Sequence, residues 1–119
     1  MRRYRGLTLR VLGRGAPAMG PGKAELIERI AQGGSISAAA RAMGMSYRRA
    51  WQLVEALNAD YREQVISTAI GGARGGGARV TDFGKRLVVA FRAMEGEASA
   101  AIAADLRRFE RLLKHRQRR

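Results

Sequence analysis

A chain of 119 residues with 46% apolar composition has room for one hydrophobic core and one extended appendage, which excludes two independent domains. Its 23 Lys and Arg stand against 10 Asp and Glu, and the resulting charge of +13 calls for a polyanionic partner, nucleic acid first and an acidic membrane second. With no cysteine and a single histidine, His115, disulfides, thiolate chemistry and Cys-based zinc sites are excluded.

The charge is not confined to one end. Arg107 to Arg119 holds seven cations opposed only by Glu110, a net +6 of the total +13, so the remainder of the chain still carries +7. At the other end, Met1-Arg-Arg-Tyr-Arg-Gly6 lacks the apolar stretch of a signal peptide, and no run approaches membrane-spanning length. The expectation is a cytoplasmic protein with no membrane partner.

Taken in order, Arg5 to Leu12 alternates Leu7, Leu9 and Val11 with other residues and predicts a half-buried strand. Gly13 to Gly22, rich in glycine and proline, predicts a loop. Its closing Gly-Pro-Gly-Lys does not make a phosphate-binding loop. Pro17 stands where that motif needs its first glycine, and Ala24 replaces the hydroxyl that would hold magnesium. Lys23 to Gln32 places Leu26, Ile27, Ile30 and Ala31 at helical spacing, and Gly33-Gly34 should end that helix. Ser35 or Ser37 can cap a second helix through Met43, and Gly44 suits the tight turn that follows.

Ser46 can cap a third helix from Tyr47 to about Asn58. Two short helices, small residues at Ala39 and Ala40, and a glycine turn form the pattern of a helix-turn-helix. At 100° per residue, Ala50, Leu53, Val54 and Leu57 share one face of the third helix. Arg48, Gln52 and Glu55 lie opposite, with Tyr47 and Arg49 on the flanks. Cations at the outward N-terminal end are what a recognition helix presents to a major groove. Arginine can bind guanine O6 and N7, and glutamine can bind adenine N6 and N7, each pair giving about 1 to 3 kcal/mol of discrimination. A solvated basic face would carry the same residues. Trp51 is better read as packing than as a contact, whereas the Tyr47 hydroxyl could equally meet a phosphate.

The β-branched stretch from Glu63 to Ile70 and the shorter Ala78-Arg-Val80 predict two strands joined by a glycine-rich loop, a wing with Arg74 at its tip and Arg79 near its base. Thr81 can cap the last helix, with Asp82 favourably placed in its first turn. Along it, Leu87, Phe91, Met94, Ala98, Ile102, Leu106, Phe109 and Leu113 recur at steps of three and four. This apolar stripe is longer than so small a domain can cover, and it predicts a homodimer through Phe91, Met94, Ile102, Leu106 and Phe109, with packing over the chain's own core as the alternative for its first half. The fold class expected is mainly α with a small β-hairpin wing. Residues 1–83 would form the winged helix-turn-helix and residues 84–119 a dimerisation helix with a basic tail.

The run Gly34-Ser-Ile-Ser-Ala-Ala-Ala-Arg-Ala-Met-Gly-Met-Ser-Tyr-Arg-Arg-Ala-Trp51, with the glycine-rich hairpin and Val80-Thr-Asp-Phe-Gly84, resembles the N-terminal DNA-binding domain of ModE-type molybdenum-responsive regulators. LysR-type regulators share a looser version. The resemblance covers about Leu7 to Arg92. It implies a winged helix-turn-helix with Ser46, Tyr47, Arg48, Arg49 and Gln52 presented to DNA and dimerisation through the last helix. Such regulators commonly carry a C-terminal oxyanion-sensing domain, which does not appear before Arg119. Molybdate binding is therefore not carried over, and either a separate ligand-sensing protein supplies the signal or the chain acts without a small ligand.

Neither H-E-x-x-H nor G-x-S-x-G occurs, and the sequence offers no metal-ligand cluster, so no enzyme, metal or cofactor is expected. The expected partner is double-stranded DNA, as an inverted repeat bound by the dimer. A nonspecific architectural DNA-binding protein is the competing reading, and the long apolar stripe also suits a protein-interaction module.

Overall fold

Local chemistry sets the helix ends in this chain, and small residues set how closely the helices pack. The computed structural model describes residues 6–14, 16–68 and 77–114. Its first helix, α1 (Pro21–Gly33), begins with proline at its first position, where the missing N–H costs no hydrogen bond. The second, α2 (Ile36–Met43), is capped by Ser35, whose side chain accepts from the Ala38 N–H at 2.9 Å. Gly44 ends it with φ 70°, and the Met45 N–H returns to the Ala40 carbonyl at 3.0 Å. In α3 (Tyr47–Asp60) the Ser46 side chain accepts from the Arg49 N–H at 3.0 Å.

Among the described residues the fold is mainly helical, with five helices and two antiparallel ribbons of two strands each, an architecture compatible with a winged helix. One ribbon was expected; the other corrects the sequence reading. Only Val11–Leu12 of the expected first strand is extended in a ladder (β1), and it pairs with β2 (Pro17–Met19) inside the segment read as a loop. Glycine and proline content pointed to irregular backbone there, but Ala18 and Met19 are buried, and their burial holds the segment against the core. Leu7 and Val11 remain exposed, while Leu9 packs on the core.

The second ribbon pairs β3 (Ile66–Thr68) with β4 (Ala78–Val80), setting Ile66 opposite Val80 and Ser67 opposite Arg79. Alternation directs Ala78 and Val80 into the core and Arg79 outward. The Ala78 N–H donates to the Gly34 carbonyl at 3.0 Å, which ties the ribbon's base to the α1–α2 turn.

The core gathers Leu26, Ile27 and Ile30 from α1, Ala39 and Ala40 from α2, Ala50, Val54 and Leu57 from α3, and Ile66 from β3. It also takes Val88 and Phe91 from α4 (Asp82–Ala101), which Thr81 caps through the Gly84 N–H. Arg92 of α4 closes on Glu28 of α1 with two hydrogen bonds, at 2.8 and 3.1 Å, and also pairs with Glu95. The Glu28 hydrogen bonds raise the arginine's pKa above its ordinary value, against an opposing desolvation effect.

The single long last helix is also corrected. It is interrupted at Ile102 (φ −109°, ψ 12°), and a separate α5 (Ala103–Glu110) follows. Ile102 is β-branched and restricted at χ1, and α5 has no fully buried residue, so little tertiary packing holds the two segments on one axis.

Gly84 sits where α4 crosses the start of β3. A Cβ there would stand 2.6 Å from the Val65 carbonyl oxygen and 2.9 Å from a Val80 methyl. Gly84→Ala is therefore expected to destabilise the protein by about 1 to 3 kcal/mol through overpacking, read as a lower urea midpoint. An unchanged midpoint would show that α4 can shift away at no cost.

Candidate nucleic-acid interface

The outward face of α3 is built by the residues on its inward face. Ala50, Val54 and Leu57 are fully buried, and Ala39 and Ala40 of α2 are only 1% and 2% exposed beneath them. Residues this small let the two helix backbones approach closely, and the opposite side of α3 is thereby turned to solvent. Arg48, Arg49, Gln52 and Glu55 are all exposed there, as the helical spacing predicted. Ser46 performs the capping role assigned to it, and its hydroxyl oxygen is already engaged by the Arg49 amide.

Tyr47 is 53% exposed at the helix start. Its ring meets Trp51 edge-on, with centroids 6.4 Å apart, and its hydroxyl accepts from the Trp51 indole N–H. The hydroxyl proton remains free to donate. Trp51 itself packs partly against the core, the role favoured for it from sequence.

Few of the described cations are neutralised by ion pairs, and those of this face are not among them. Among the described residues, the ion pairs join Glu25 to Arg29, Glu28 to Arg92, Arg92 to Glu95, and Asp105 to Arg108. None involves Arg48, Arg49 or Arg79. Those three cations point positive charge outward from α3 and the β3–β4 ribbon, with Glu55 the one carboxylate placed on the same face of α3. Arg74 lies outside the described residues.

The ribbon's position relative to α3 depends on Asn58, a residue the sequence reading used only as a helix end. Its Oδ1 accepts from the Val65 and Ile66 amides at 2.8 and 3.0 Å, and its Nδ2 donates to the Ile66 carbonyl at 3.0 Å. One amide side chain so joins the last turn of α3 to the first residue of β3. The available signal was an asparagine at a helix-to-strand junction, where such side chains satisfy local backbone groups. Tyr61 makes a comparable tie to the first ribbon, donating to the Ala18 carbonyl at 2.9 Å. Burial, with a smaller effect from Asp60, raises its pKa and keeps the hydroxyl a donor.

Two further cations were also missed. A groove of about 520 Å³ runs between α3 and the β1–β2 ribbon, and its lining includes Arg10 and Lys23 as well as Arg49 and Gln52. Sequence position separates Arg10 from Arg49 by most of two helices, so no local pattern brings them together.

The proposed dimer residues have different surroundings. Phe91 is 2% exposed in the core of its own chain, whereas Met94 and Phe109 are 43% and 60% exposed. Ile102 and Leu106 are half-buried, and a Leu106 methyl approaches Gly6 of the N-terminal segment. Among the described residues no group of three His, Cys, Asp or Glu could hold a metal ion, and no helix is long and apolar enough to cross a membrane.

No protein-family model matches the chain. The molybdenum-pterin-binding protein MopB of Rhodobacter capsulatus is 42% identical over 103 residues, covering 87% of this chain and 37% of its own. The molybdenum transport protein ModE of Azotobacter vinelandii is 32% identical over 107 residues, covering 81% of this chain and 40% of its own. This chain is homologous to the ModE-type proteins. A third relative, the DNA-binding transcriptional dual regulator ModE of Escherichia coli K12, is 38% identical over 68 residues, 57% of this chain and 26% of its own. The chain thus spans well under half the length of each ModE-type relative.

Asn58→Ala removes three hydrogen bonds from a part-buried junction and strands two amides and a carbonyl. The expected loss is about 2 kcal/mol of stability by urea denaturation. A loss below about 0.5 kcal/mol, within the range of a neutral surface change, would show that water replaces the side chain there.

Proposed function

We propose that the chain is a sequence-specific, double-stranded-DNA-binding transcription regulator in molybdenum-related control, acting as a cytoplasmic homodimer. The observation that carries this reading is the outward face of α3. A capped helix, turned out by close packing on α2, presents Arg48, Arg49 and Gln52, and among the described residues neither arginine is in an ion pair. The DNA-binding function named for the Escherichia coli relative supports it. In this reading α3 enters the major groove, where Arg48 and Gln52 read base edges, while Ser46, Tyr47 and Arg49 hold its N-terminal end against DNA. The β3–β4 ribbon is the wing, and Arg74 and Arg79 contact phosphates.

Residues 1–83 supply the DNA-binding unit, and the exposed part of 84–119 supplies the dimer contact. Met94 and Phe109 offer open apolar surface there, with Ile102 and Leu106 between them. A two-fold axis through this region would set the recognition helices about 34 to 36 Å apart, matching an inverted repeat.

Selection from random duplexes tests the base-reading roles. Arg48→Ala should relax preference at one or two base positions. Arg79→Ala should weaken all sequences alike and lower the slope of log affinity against log salt by about 0.9. Equal affinity of the wild type for every duplex would replace this reading with a nonspecific architectural protein.

Dimerisation is tested separately by light scattering. The wild type should have twice the single-chain mass, and the Ile102→Glu, Leu106→Glu double variant should be monomeric because like charges would face each other across the axis. A monomeric wild type, or an unshifted double variant, overturns the dimer assignment.

A further inference from the structure

The groove beside α3 has a chemistry that the base-reading face does not account for. Its lining includes three cations, Arg10, Lys23 and Arg49, and contains no Asp or Glu. Each cation comes from a different part of the fold: the N-terminal segment, the first turn of α1, and the first turn of α3. Among the described residues none of the three is in an ion pair.

One of them is anchored before any ligand arrives, and a second lies close along the groove wall. The Lys23 ammonium donates one hydrogen to the Pro17 carbonyl at 2.8 Å, which anchors it at the groove wall and leaves two donors. Arg10 lies along Gly20, with its Cγ and Nη1 3.5 and 3.7 Å from where a Cβ would stand. The groove also runs past the N-terminal end of α1, whose dipole adds potential of the same sign. The half-buried part of the lining includes the apolar Met45, Leu53 and Ala56. A lining that combines cations with apolar surface suits a chain of phosphates joined by deoxyribose rings.

We infer that Arg10, Lys23 and Arg49 form a cleft that grips the phosphodiester backbone of DNA alongside the recognition helix. This rests on the DNA-binding reading and adds a contact from the N-terminal segment and α1 that the helix-turn-helix alone would lack. The cleft holds α3 in register along its length, and the wing holds it from the other end. Backbone contacts of this kind position a reading helix and carry no sequence preference themselves.

The test compares the wild type, Arg10→Gln, Lys23→Gln and the double variant on duplex DNA, by fluorescence anisotropy over a range of salt, with circular dichroism confirming the fold. Each single variant should lower the salt slope by about 0.9 and the double variant by about 1.8, equally on selected and random duplexes. Replacing single phosphates by neutral methylphosphonates should reveal a position that weakens the wild type by about tenfold and leaves the double variant unaffected. If the wild type binds DNA and the slopes of all variants match it, the cleft is overturned while the DNA reading stands. If the wild type binds no duplex, the DNA reading fails first. Calorimetric titration with inorganic phosphate and with sulfate covers the other source of such an anion. Sub-millimolar binding lost in the double variant, with an unchanged DNA slope, would make the groove a free-oxyanion site and overturn the inference.

Discussion

The close contact between α2 and α3 is the constraint on which the rest of this molecule depends. Ala39, Ala40 and Ala50 leave the two helix backbones almost nothing to hold them apart, and Gly44 provides the reversal between them. Larger side chains at these three positions would lift α3 away from the core and tilt its outward face. The direction in which Arg48 and Gln52 point is thus decided on the opposite side of their helix. Asn58 then carries that orientation into the ribbon by bonding both amides at the start of β3.

Electrostatic asymmetry follows from the same frame. Carboxylates are scarce in this chain, and four of them, Glu25, Glu28, Glu95 and Asp105, are used in ion pairs on α1, α4 and α5. Glu28 and Glu95 both serve Arg92, the cation that joins α4 to α1. Ion pairing is in this way confined to the framework helices, and the arginines at the start of α3 take no part in it. The exposed Asp105–Arg108 pair contributes little stability, about 0 to 1 kcal/mol, while the other three are part-buried. The larger effect of the pairs is on where the protein's field points.

The apolar stripe of the last third serves two purposes, divided along its length. Val88 and Phe91 complete the core beneath α1, and the interruption at Ile102 comes only after the chain has left that core. Beyond it, Phe109, Leu112 and Leu113 are exposed. The early part of the stripe is therefore held by the chain's own interior. In the later part, α5 has no fully buried residue.

Features governed by neighbouring residues were legible in the sequence. Helical spacing placed Arg48, Gln52 and Glu55 opposite Ala50, Val54 and Leu57, and serine and threonine located the caps, because capping and amphipathicity act over one to three turns. Homology to ModE-type proteins was legible for the same reason, since Gly-Ser-Ile-Ser and Ser-Tyr-Arg-Arg-Ala-Trp are continuous stretches. The β1–β2 ribbon was not, because the burial of Ala18 and Met19 against distant helices outweighs the local signal of glycine and proline. The division of the apolar stripe was legible only as an alternative for its first half, since one periodic pattern describes both a core-facing and an open helix face. Only the tertiary structure brought Arg10 and Lys23 to the side of Arg49, because their meeting depends on how a ribbon and two helices pack, which no spacing along the chain records.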